Sequence, residues 1–465
     1  MRPILTPAEM AAVDAAAPEP IDVLIDRAGR AVARVAFEML GGSYGRVVRV
    51  IAGKGNNGND GRVAAQALRG RGVQVEILDA AAPPPLLAPA DLIIDAAYGT
   101  GFRGTWNPPD VGPTPVLAVD VPSGVDALDG SVSGAVLAAD RTVTFQALKP
   151  GLLLGTGARL AGRLDVVDIG LDLGPGSSGS PGCHLVERSD VASWWPSRGI
   201  DAHKWQGAVR VVAGSVGMSG AGVLCAEGAA RSGAGLVKLS ALGTTTAVRS
   251  EIMQLPLGAD GDWSADVLAD IDRFGALAIG PGLGRTRRTL DSVRAAISGS
   301  SIPVVVDGDG LSALTDGAAA VLAGRTVSAV LTPHDGEYRH LTGALPATDR
   351  IRATRELAAD LHCVVLLKGP TTIVADWNGA VLVVDHGDQR LATAGSGDVL
   401  TGMIATALAG GLDPLRAAAA GAWLHAEAGQ VQQSSGLLAG DLVEAAPQAL
   451  AGLRSDQCSR DSTPR

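Results

Sequence analysis

Short β-branched runs alternate with segments of helical periodicity along most of the chain. In the first half the pattern predicts strands at 47–52, 73–78, 91–96, 115–120, 141–145 and 164–169, with a long helix at 21–40 before them. The second half repeats the alternation, from a strand at 208–213 to a closing helix at 441–453. Such alternation is typical of a parallel sheet with helices on both faces, so we predict an α/β protein.

One segment that is poor in apolar residues divides this pattern. Residues 174–182 consist of glycine, proline and serine only, a composition that favours a linker. We predict a first domain at 1–172, a linker at 173–187, a second domain at 188–454 and a flexible tail at 455–465. A length of 465 residues agrees with two domains that each bury a core.

Charge and cysteine content narrow the class of protein. Lys+Arg 38 against Asp+Glu 48 gives a net charge of −10, and aromatic residues make up only 3%. Nucleic-acid-binding domains are usually basic and offer aromatic stacking platforms, so we expect no nucleic-acid partner. The four cysteines lack metal-ligand spacing, and the N-terminus shows no signal peptide. We interpret the chain as a cytoplasmic protein with reduced thiols and no membrane association.

Polar side chains follow three predicted strands of the first half. Asn57, Asp95 and Asp120 each stand after an apolar run and before small residues. Ligands of α/β sheets lie beyond the carboxyl ends of the strands, where these residues should meet. Oxygen atoms of Asn57, Asp95 and Ser123 suit a hard cation, and the backbone amides of 99–105 suit a phosphate. Ordinary turn chemistry explains each turn alone, but three turns at one rim favour a binding site.

The second half carries its own glycine-rich turn, at 393–402, which leads into a predicted helix at 399–411. Unpaired N–H groups at a helix start attract a phosphate, and Asp398 stands beside them as a candidate base. Lys368 and the hydroxyls that follow it suit a polyphosphate. His334 is, taken alone, more often a satisfied loop histidine than a catalyst.

The first-half segments 55–61, 95–101 and 120–124 resemble the signature segments of the NAD(P)H-hydrate epimerase domain, which implies a Rossmann-like three-layer fold. The resemblance implies a potassium ion at Asn57, Asp95 and Ser123, and acid–base work for Asp120 at C6 of the nicotinamide ring. Lys149 resembles a family lysine that assists, although a lysine before proline is commonly solvated. The implied contacts of the hydrated dinucleotide are Asn56, Asn57, Gly58, Asn59, Asp60, Gly99, Thr100, Gly101, Phe102, Arg103, Gly104 and Thr105. Asn59 departs from the usual family glycine.

The second-half segments 214–220, 231–237, 280–284, 331–337 and 394–402 resemble the ADP-dependent NAD(P)H-hydrate dehydratase domain, which has a ribokinase-like α/β fold. The resemblance implies substrate contacts from Ala221, Gly282, His334, Asp335, Gly336, Glu337 and Asp398. The implied ADP contacts are Lys368, Gly369, Pro370, Thr371, Thr372, Ala394, Gly395, Ser396 and Gly397. Asp335 and Ala394 stand where the family commonly has proline and glycine.

Together the resemblances imply a bifunctional repair enzyme for the hydrated cofactors NADHX and NADPHX. The first domain would interconvert their R and S forms, and the second would dehydrate the S form at the expense of ADP, with Asp398 as base and Mg²⁺ on the phosphates. The family also implies self-association. Two alternatives stay open: a ribokinase-like kinase of the hydroxymethylpyrimidine type with a nucleotide-binding first domain, and a first domain that serves as a scaffold. The intact Asp120, Asn57, Asp95 and Ser123 argue against the scaffold.

Overall fold

A computed structural model describes residues 1–174, 182–259 and 261–461 of the chain. The strands are β1 (Arg2–Ile4), β2 (Val47–Ala52), β3 (Gln74–Asp79), β4 (Leu92–Ala96), β5 (Val116–Val119), β6 (Arg141–Phe145), β7 (Arg163–Val167), β8 (Cys183–Leu185), β9 (Ala208–Ser215), β10 (Leu236–Leu242), β11 (Met253–Gln254), β12 (Ala276–Ile279), β13 (Val304–Val306), β14 (Ala329–Leu331), β15 (Val364–Leu367), β16 (Thr372–Ala375) and β17 (Val381–Val384).

The helices complete the element order. They are α1 (Pro7–Ala16), α2 (Ile21–Leu40), α3 (Asn56–Arg69), α4 (Gly157–Leu160), α5 (Arg188–Trp194), α6 (Ser219–Arg231), α7 (Ser264–Leu268), α8 (Arg287–Gly299), α9 (Asp309–Ala313), α10 (Ala318–Ala323), α11 (Asp335–Thr342), α12 (Arg350–Leu361), α13 (Ser396–Ala409), α14 (Pro414–Val431) and α15 (Ala439–Asp461).

The chain divides into two compact units, one of residues 2–183 and one that contains residues 184–465. The division lies within the predicted linker 173–187, of which residues 175–181 fall outside the described residues. The end of that predicted linker is ordered, because Cys183–Leu185 form β8 and the Leu185 side chain is buried. Helix α15 continues to Asp461, so its backbone extends into the segment that we predicted as a flexible tail. The remaining domain limits stay a prediction.

The first unit is built on a six-stranded sheet in the order β3-β2-β4-β5-β6-β7, and every neighbouring pair is parallel. Helices α2 and α3 pack on one face over buried apolar residues such as Val32, Leu68 and Ile94. The opposite face is covered by loop residues that include Trp106 and Leu137. This arrangement brings the ends of β2, β4 and β5 together at one rim.

Helix α3 begins earlier than the sequence indicates. The helical periodicity after the glycine- and asparagine-rich turn predicts a helix from Gly61 to Arg71, but the helix starts at Asn56, within that turn. The early start depends on close backbone approach, since a Cβ on Gly58 would lie 2.0 Å from the Gly53 carbonyl oxygen. Glycine permits this approach, and the polar turn is thereby folded into the first helical turn.

The sheet of the second unit runs in the order β8-β17-β16-β15-β14-β13-β12-β9-β10-β11. Its pairings from β11 to β15 are parallel, and β15, β16 and β17 are antiparallel. The predicted hairpin around Trp377 is confirmed as the β16–β17 pair, with Gly379 at φ 92°. Helices α6, α13, α14 and α15 bury one face, and α12 packs on the opposite side against β15 and β16.

Within the part of the chain that the structure describes, no helix is both long and apolar enough to cross a membrane.

Candidate active sites

A cavity of about 550 Å³ opens at the rim of the first sheet. Its polar wall comes from the start of α3 and from the loop after β4, including Asn57, Tyr98 and Arg103. Its apolar wall comes from α1 and α2, where Met10 and Leu24 are buried. The fold thus places a mixed polar and apolar pocket where an α/β sheet usually binds its ligand.

Asp95 lies at the end of β4 and is fully buried. Its carboxylate accepts hydrogen bonds from the Ser123 Oγ at 2.6 Å, the Ser123 backbone N–H at 2.9 Å and the Ala97 N–H at 3.2 Å. Burial raises the pKa of Asp95, and these hydrogen bonds oppose the rise. It forms no ion pair among the described residues, so its charge lacks a protein counter-ion.

Asn57 adds a second indication of a missing partner near this rim. Its Oδ1 and Nδ2 are buried and have no hydrogen-bond partner in the described part of the chain. A Cβ built on Gly99 would lie 3.3 Å from the Asn57 side chain, which places the start of α3 against the loop after β4. Buried polar atoms normally have a hydrogen-bond partner or an ion beside them. A cation that prefers oxygen ligands therefore suits Asn57, Asp95 and Ser123.

Asp120 and Lys149 form a buried ion pair in the same cavity. Lys149 Nζ lies 2.6 Å from Asp120 Oδ1 and also donates to Thr144 Oγ1 and to the Phe145 carbonyl. Thr144 in turn donates to Asp120 Oδ1 at 3.0 Å. The alternative that Lys149 is an ordinary solvated lysine is wrong, because only 2% of its side chain is exposed.

The backbone of Asp120 is unusual as well. Its φ of 67° places it in the left-handed region, which few residues other than glycine, asparagine and aspartate adopt. The turn after β5 therefore aims the carboxylate at Lys149 at a conformational cost of roughly 1 kcal/mol or more. Strain of this kind concentrates at functional sites.

Two further carboxylates line the cavity. Asp60, in the first turns of α3, is buried, and its pKa is raised to about 8, first by burial and then by the charge of Asp120. Asp14, on α1, has a pKa that burial raises and Lys149 lowers. The sequence analysis missed Asp14, because a lone acid in an amphipathic helix gives no signal that distinguishes it from a solvated residue.

The predicted substrate residues of the first unit do not all reach the cavity. Those that line it are Asn56, Asn57, Asp60, Gly99, Thr100, Gly101, Phe102 and Arg103. Gly58 is instead buried against Gly53, and Asn59 accepts a hydrogen bond from Arg62. Gly104 and Thr105 also lie outside the lining, whereas the unpredicted Lys54 belongs to it. The departure at Asn59 therefore adds no side chain to the cavity wall.

In the second unit, an open depression of about 420 Å³ brings Ala221, Gly282 and Asp398 together. Asp309 and Met218 complete this wall, between the start of α6 and the loops after β12 and β13. A Cβ on Gly282 would lie 2.8 Å from the Ala221 Cβ, so glycine is required for this close approach. Three predicted substrate contacts from distant parts of the sequence thus share one surface.

The turn at 394–397 leads directly into α13, which begins at Ser396. Asp398 therefore lies in the first turn of the helix, at the end whose dipole favours an anion. Lys368 Nζ forms an ion pair with Asp307 Oδ1 at 2.5 Å, and a Cβ on Gly397 would lie 3.3 Å from that Nζ. This places the predicted ADP residues Lys368 and Gly397 side by side.

Asp398 itself forms no ion pair within the residues that the structure describes. Burial raises its pKa to about 7, and the charges of Asp307, Asp309 and Glu337 add to the rise while Lys368 opposes it. A carboxyl group with this pKa takes up and releases a proton near neutral pH, as a general base requires.

The His334 ring caps α11. Its Nδ1 accepts hydrogen bonds from the Gly336 N–H at 2.9 Å and the Glu337 N–H at 3.3 Å, and Glu337 accepts one from the His334 N–H. Asp335 pairs with Arg350, which also donates to the Lys368 carbonyl. The segment 334–337 thus braces the loop that carries Lys368, and burial raises the pKa of Glu337.

His425 is a buried partner of the glycine-rich turn that the sequence did not reveal. Its Nε2 lies 2.9 Å from Ser396 Oγ, and burial lowers its pKa to about 4, so the ring is neutral at pH 7. It stands in the alanine-rich α14, 29 positions away along the chain. Local periodicity there indicates only a core helix.

Two protein-family models match this chain, one in each unit. A family model described as NAD(P)H-hydrate dehydratase matches residues 209–448, and one described as YjeF-related protein N-terminus matches 21–88 and 78–151. The bifunctional NAD(P)H-hydrate repair enzyme of Moorella thermoacetica is 35% identical over 97% of this chain and 97% of its own. The chain belongs to the bifunctional NAD(P)H-hydrate repair enzyme family.

A further member supports the family assignment, and one solved structure supports the fold. The repair enzyme of Mycobacterium tuberculosis is 38% identical over 82% of both chains. A ribokinase-like superfamily protein from Enterococcus faecalis V583 covers 58% of this chain and 96% of its own, with a TM-score of 0.51 at 20% identity. At that identity the likeness supports the fold alone, and the predicted Rossmann-like and ribokinase-like architecture is confirmed for this NAD(P)H-hydrate repair family member.

Proposed function

We propose that the chain repairs hydrated nicotinamide cofactors in two steps. The first unit interconverts the R and S forms of NADHX and NADPHX, and the second dehydrates the S form with ADP, yielding NAD(P)H, AMP and phosphate. The observation that carries the proposal is family membership over 97% of the chain, joined to an acidic reaction centre in each unit.

In the first unit, Asp120 is the group placed for proton transfer at C6. Lys149 and Thr144 both contact its Oδ1 atom, and these contacts fix the orientation of the carboxylate in the cavity. Lys54 and Arg103 supply positive charge for the pyrophosphate, and the apolar wall of α1 and α2 shelters the ring. Asp60, with its raised pKa, provides a protonated carboxyl beside Asp120.

A potassium ion would be held by oxygen atoms of Asn57, Asp95 and Ser123. The fit rests on the unpartnered Asn57 amide and on the buried Asp95 carboxylate, which has no counter-ion in the described part of the chain. A bound cation would supply charge balance at this rim. Asp95 and Ser123 also hold the start of the loop that leads to 99–103, because they accept hydrogen bonds from the backbone N–H groups of Ala97 and Tyr98.

In the second unit, Asp398 accepts the proton of the C6 hydroxyl as its oxygen forms a bond to the β-phosphorus of ADP, and the P–O bond to AMP breaks. Phosphate then leaves C6 with the C–O electron pair, and loss of a proton from C5 restores the dihydronicotinamide ring. The start of α13 and Lys368 bind the transferred phosphoryl group. The other residues proposed for ADP are Gly369, Pro370, Thr371, Thr372, Ala394, Gly395, Ser396 and Gly397.

Mg²⁺ is proposed to enter with the nucleotide. No group of three or more His, Cys, Asp or Glu side chains in the described residues is arranged to hold a metal ion. Mg²⁺ commonly binds through substrate phosphates and one or two carboxylates, so the phosphates of ADP provide most of its ligands. A cytoplasmic location and self-association belong to the proposal as well, on the strength of the family resemblance.

The test uses purified full-length protein with mixed R and S hydrated NADH. Recovery of absorbance near ~340 nm reports the reduced nicotinamide that the dehydratase step regenerates. We expect full recovery with ADP and none without it. Recovery of the S fraction alone would overturn the epimerase half, and recovery that does not depend on ADP would overturn the dehydratase half.

A further inference from the structure

Asp307 follows β13 directly and connects three elements of the second unit. Its side chain is almost completely buried, and each carboxylate oxygen has its own partner. Oδ1 lies 2.5 Å from Lys368 Nζ, in the loop after β15, and Oδ2 accepts a hydrogen bond from Thr401 Oγ1 on α13 at 2.9 Å. The carboxylate is therefore shared between the proposed phosphate-binding lysine and the helix that begins at the phosphate-binding turn.

The same contacts fix the start of α13. Thr401 Oγ1 also lies 2.9 Å from the Gly397 carbonyl oxygen, one turn earlier in the helix. A Cβ on Gly397 would stand 3.3 Å from Lys368 Nζ and 3.5 Å from Asp307 Oδ2. Asp307 thus lies directly beneath the turn that carries Asp398, although it does not line the open depression itself.

Asp398 is surrounded by charges from several elements. Asp307, Asp309 and Glu337 face it from β13, α9 and α11, and Lys368 faces it from the loop after β15. The pKa of the Cys225 thiol on α6 is raised well above its usual value, chiefly by burial. The charges of Asp398 and Asp307 add to this rise. Among these groups, Asp307 adds most to the rise in the pKa of Asp398 after burial.

We propose that Asp307 is a positioning residue of the dehydratase site: it holds Lys368 against the first turn of α13 for the phosphoryl group, and it places a negative charge directly beneath the turn that carries Asp398. The inference rests on the proposed function of the second unit. Asp307 acts through Lys368 and Asp398 rather than by touching the reacting atoms.

The test compares wild-type protein with Asp307→Asn, which keeps the shape of the side chain and removes its charge. Loss of that charge lowers the pKa of Asp398, so the acidic limb of the pH profile of kcat/KM for dehydration moves to lower pH by about one unit. Release of Lys368 raises the KM for ADP about tenfold, which corresponds to ~1.4 kcal/mol. A purely structural role would lower activity without moving the acidic limb.

Two further variants keep the test decisive. Asp316→Asn changes an exposed aspartate nine positions along the chain and should leave both quantities unchanged. Thr401→Val removes the hydroxyl that bonds to Oδ2, and we expect a rise of about two- to threefold in the KM for ADP with no shift in the limb. If Asp307→Asn does not fold, an unchanged KM for ADP in Thr401→Val overturns the inference.

Thermal unfolding of every variant measures whether the second unit folds, and epimerisation by the first unit measures whether equal amounts of active chain are compared. A wild-type chain that shows no ADP-dependent dehydration counts against the proposed function. A wild-type chain that is active, together with an Asp307→Asn variant whose acidic limb and KM for ADP are unchanged, counts against the role of Asp307 alone.

Discussion

The two units pair a lysine with a carboxylate in different ways. In the first, Lys149 pairs directly with Asp120, the candidate for proton transfer, at 2.6 Å. In the second, Lys368 pairs with Asp307 at 2.5 Å, and the candidate base Asp398 is left without an ion pair among the described residues. The pKa of Asp398 consequently rises to about 7, first because of burial and then because of Asp307.

This difference matches the chemistry proposed for each unit. Epimerisation is reversible and uses one group that is held in place, with the protonated Asp60 nearby. Phosphoryl transfer needs a base that releases its proton near neutral pH while a cation binds the phosphate. In the second unit, the pairing of Lys368 with Asp307 leaves Asp398 free to act as the base and keeps a cation for the phosphate. Substitutions in each unit test this difference.

The largest effect is expected for Asp398→Asn. The substitution removes the proposed base, so ADP-dependent dehydration should fall about 10²- to 10⁴-fold. Epimerisation should persist, because the first unit has its own reaction centre. Single-turnover recovery of reduced nicotinamide measures the first quantity, and the loss of the R form measures the second. Retention of full dehydratase activity would remove Asp398 from the mechanism.

Lys149→Met should destabilise the first unit. It leaves the largely buried Asp120 carboxylate without its cation, and breaking such a pair costs about 3 kcal/mol or more. Urea unfolding of the full chain, followed by hydrogen exchange of peptides from the first unit, locates the loss in that unit. The matched variant Lys54→Met removes an exposed lysine of the cavity wall and should leave stability unchanged.

The two glycine-rich turns at 55–61 and 394–397 should respond differently to an added methyl group. Gly58→Ala places a Cβ 2.0 Å from a backbone oxygen, which cannot yield easily, and should cost about 1–3 kcal/mol of stability. Gly397→Ala meets the flexible end of Lys368 at 3.3 Å, so stability should change little while ADP binding weakens. Calorimetric titration with ADP and thermal unfolding separate the two outcomes, and equal destabilisation would contradict this contrast.

The smallest effect concerns Asp60. Its pKa of about 8 lies above the value in an unfolded chain, so the folded state binds more protons between about pH 4 and pH 8 and stability falls as pH rises across this window. Asp60→Asn should therefore stabilise the protein by about 1–2 kcal/mol at pH 8 and hardly at all at pH 4. A gain of the same size at both pH values would show that Asp60 is ionised in the fold.

The sequence predicted the two α/β sheets because alternating strands and helices leave a strong periodic signal. It also indicated Asp120 and Asp398, since both stand in small-residue turns after apolar runs. The burial of Lys149 could not be predicted, because its partner Asp120 is far along the chain and a single lysine carries no periodicity. Asp14 and His425 stayed hidden for the same reason, since their roles arise only from packing between helices.

The start of α3 shows the opposite limitation. Asparagine and glycine favour turns when their neighbours are ignored, so the segment 56–60 was predicted as a loop. Tertiary approach of Gly58 to Gly53 overrides that local preference and extends the helix through it. Gly58 and Asn59 therefore do not line the cavity, and their contacts with a ligand stay predictions.

The left-handed backbone at Asp120 bears on how this domain could lose its activity during evolution. A φ of 67° favours aspartate, asparagine and glycine at this position. A single base change converts an aspartate codon to an asparagine codon, which removes the acid and leaves the turn intact. A descendant that survives as a binding module should therefore be recognisable by asparagine or glycine at this position above an otherwise unaltered sheet.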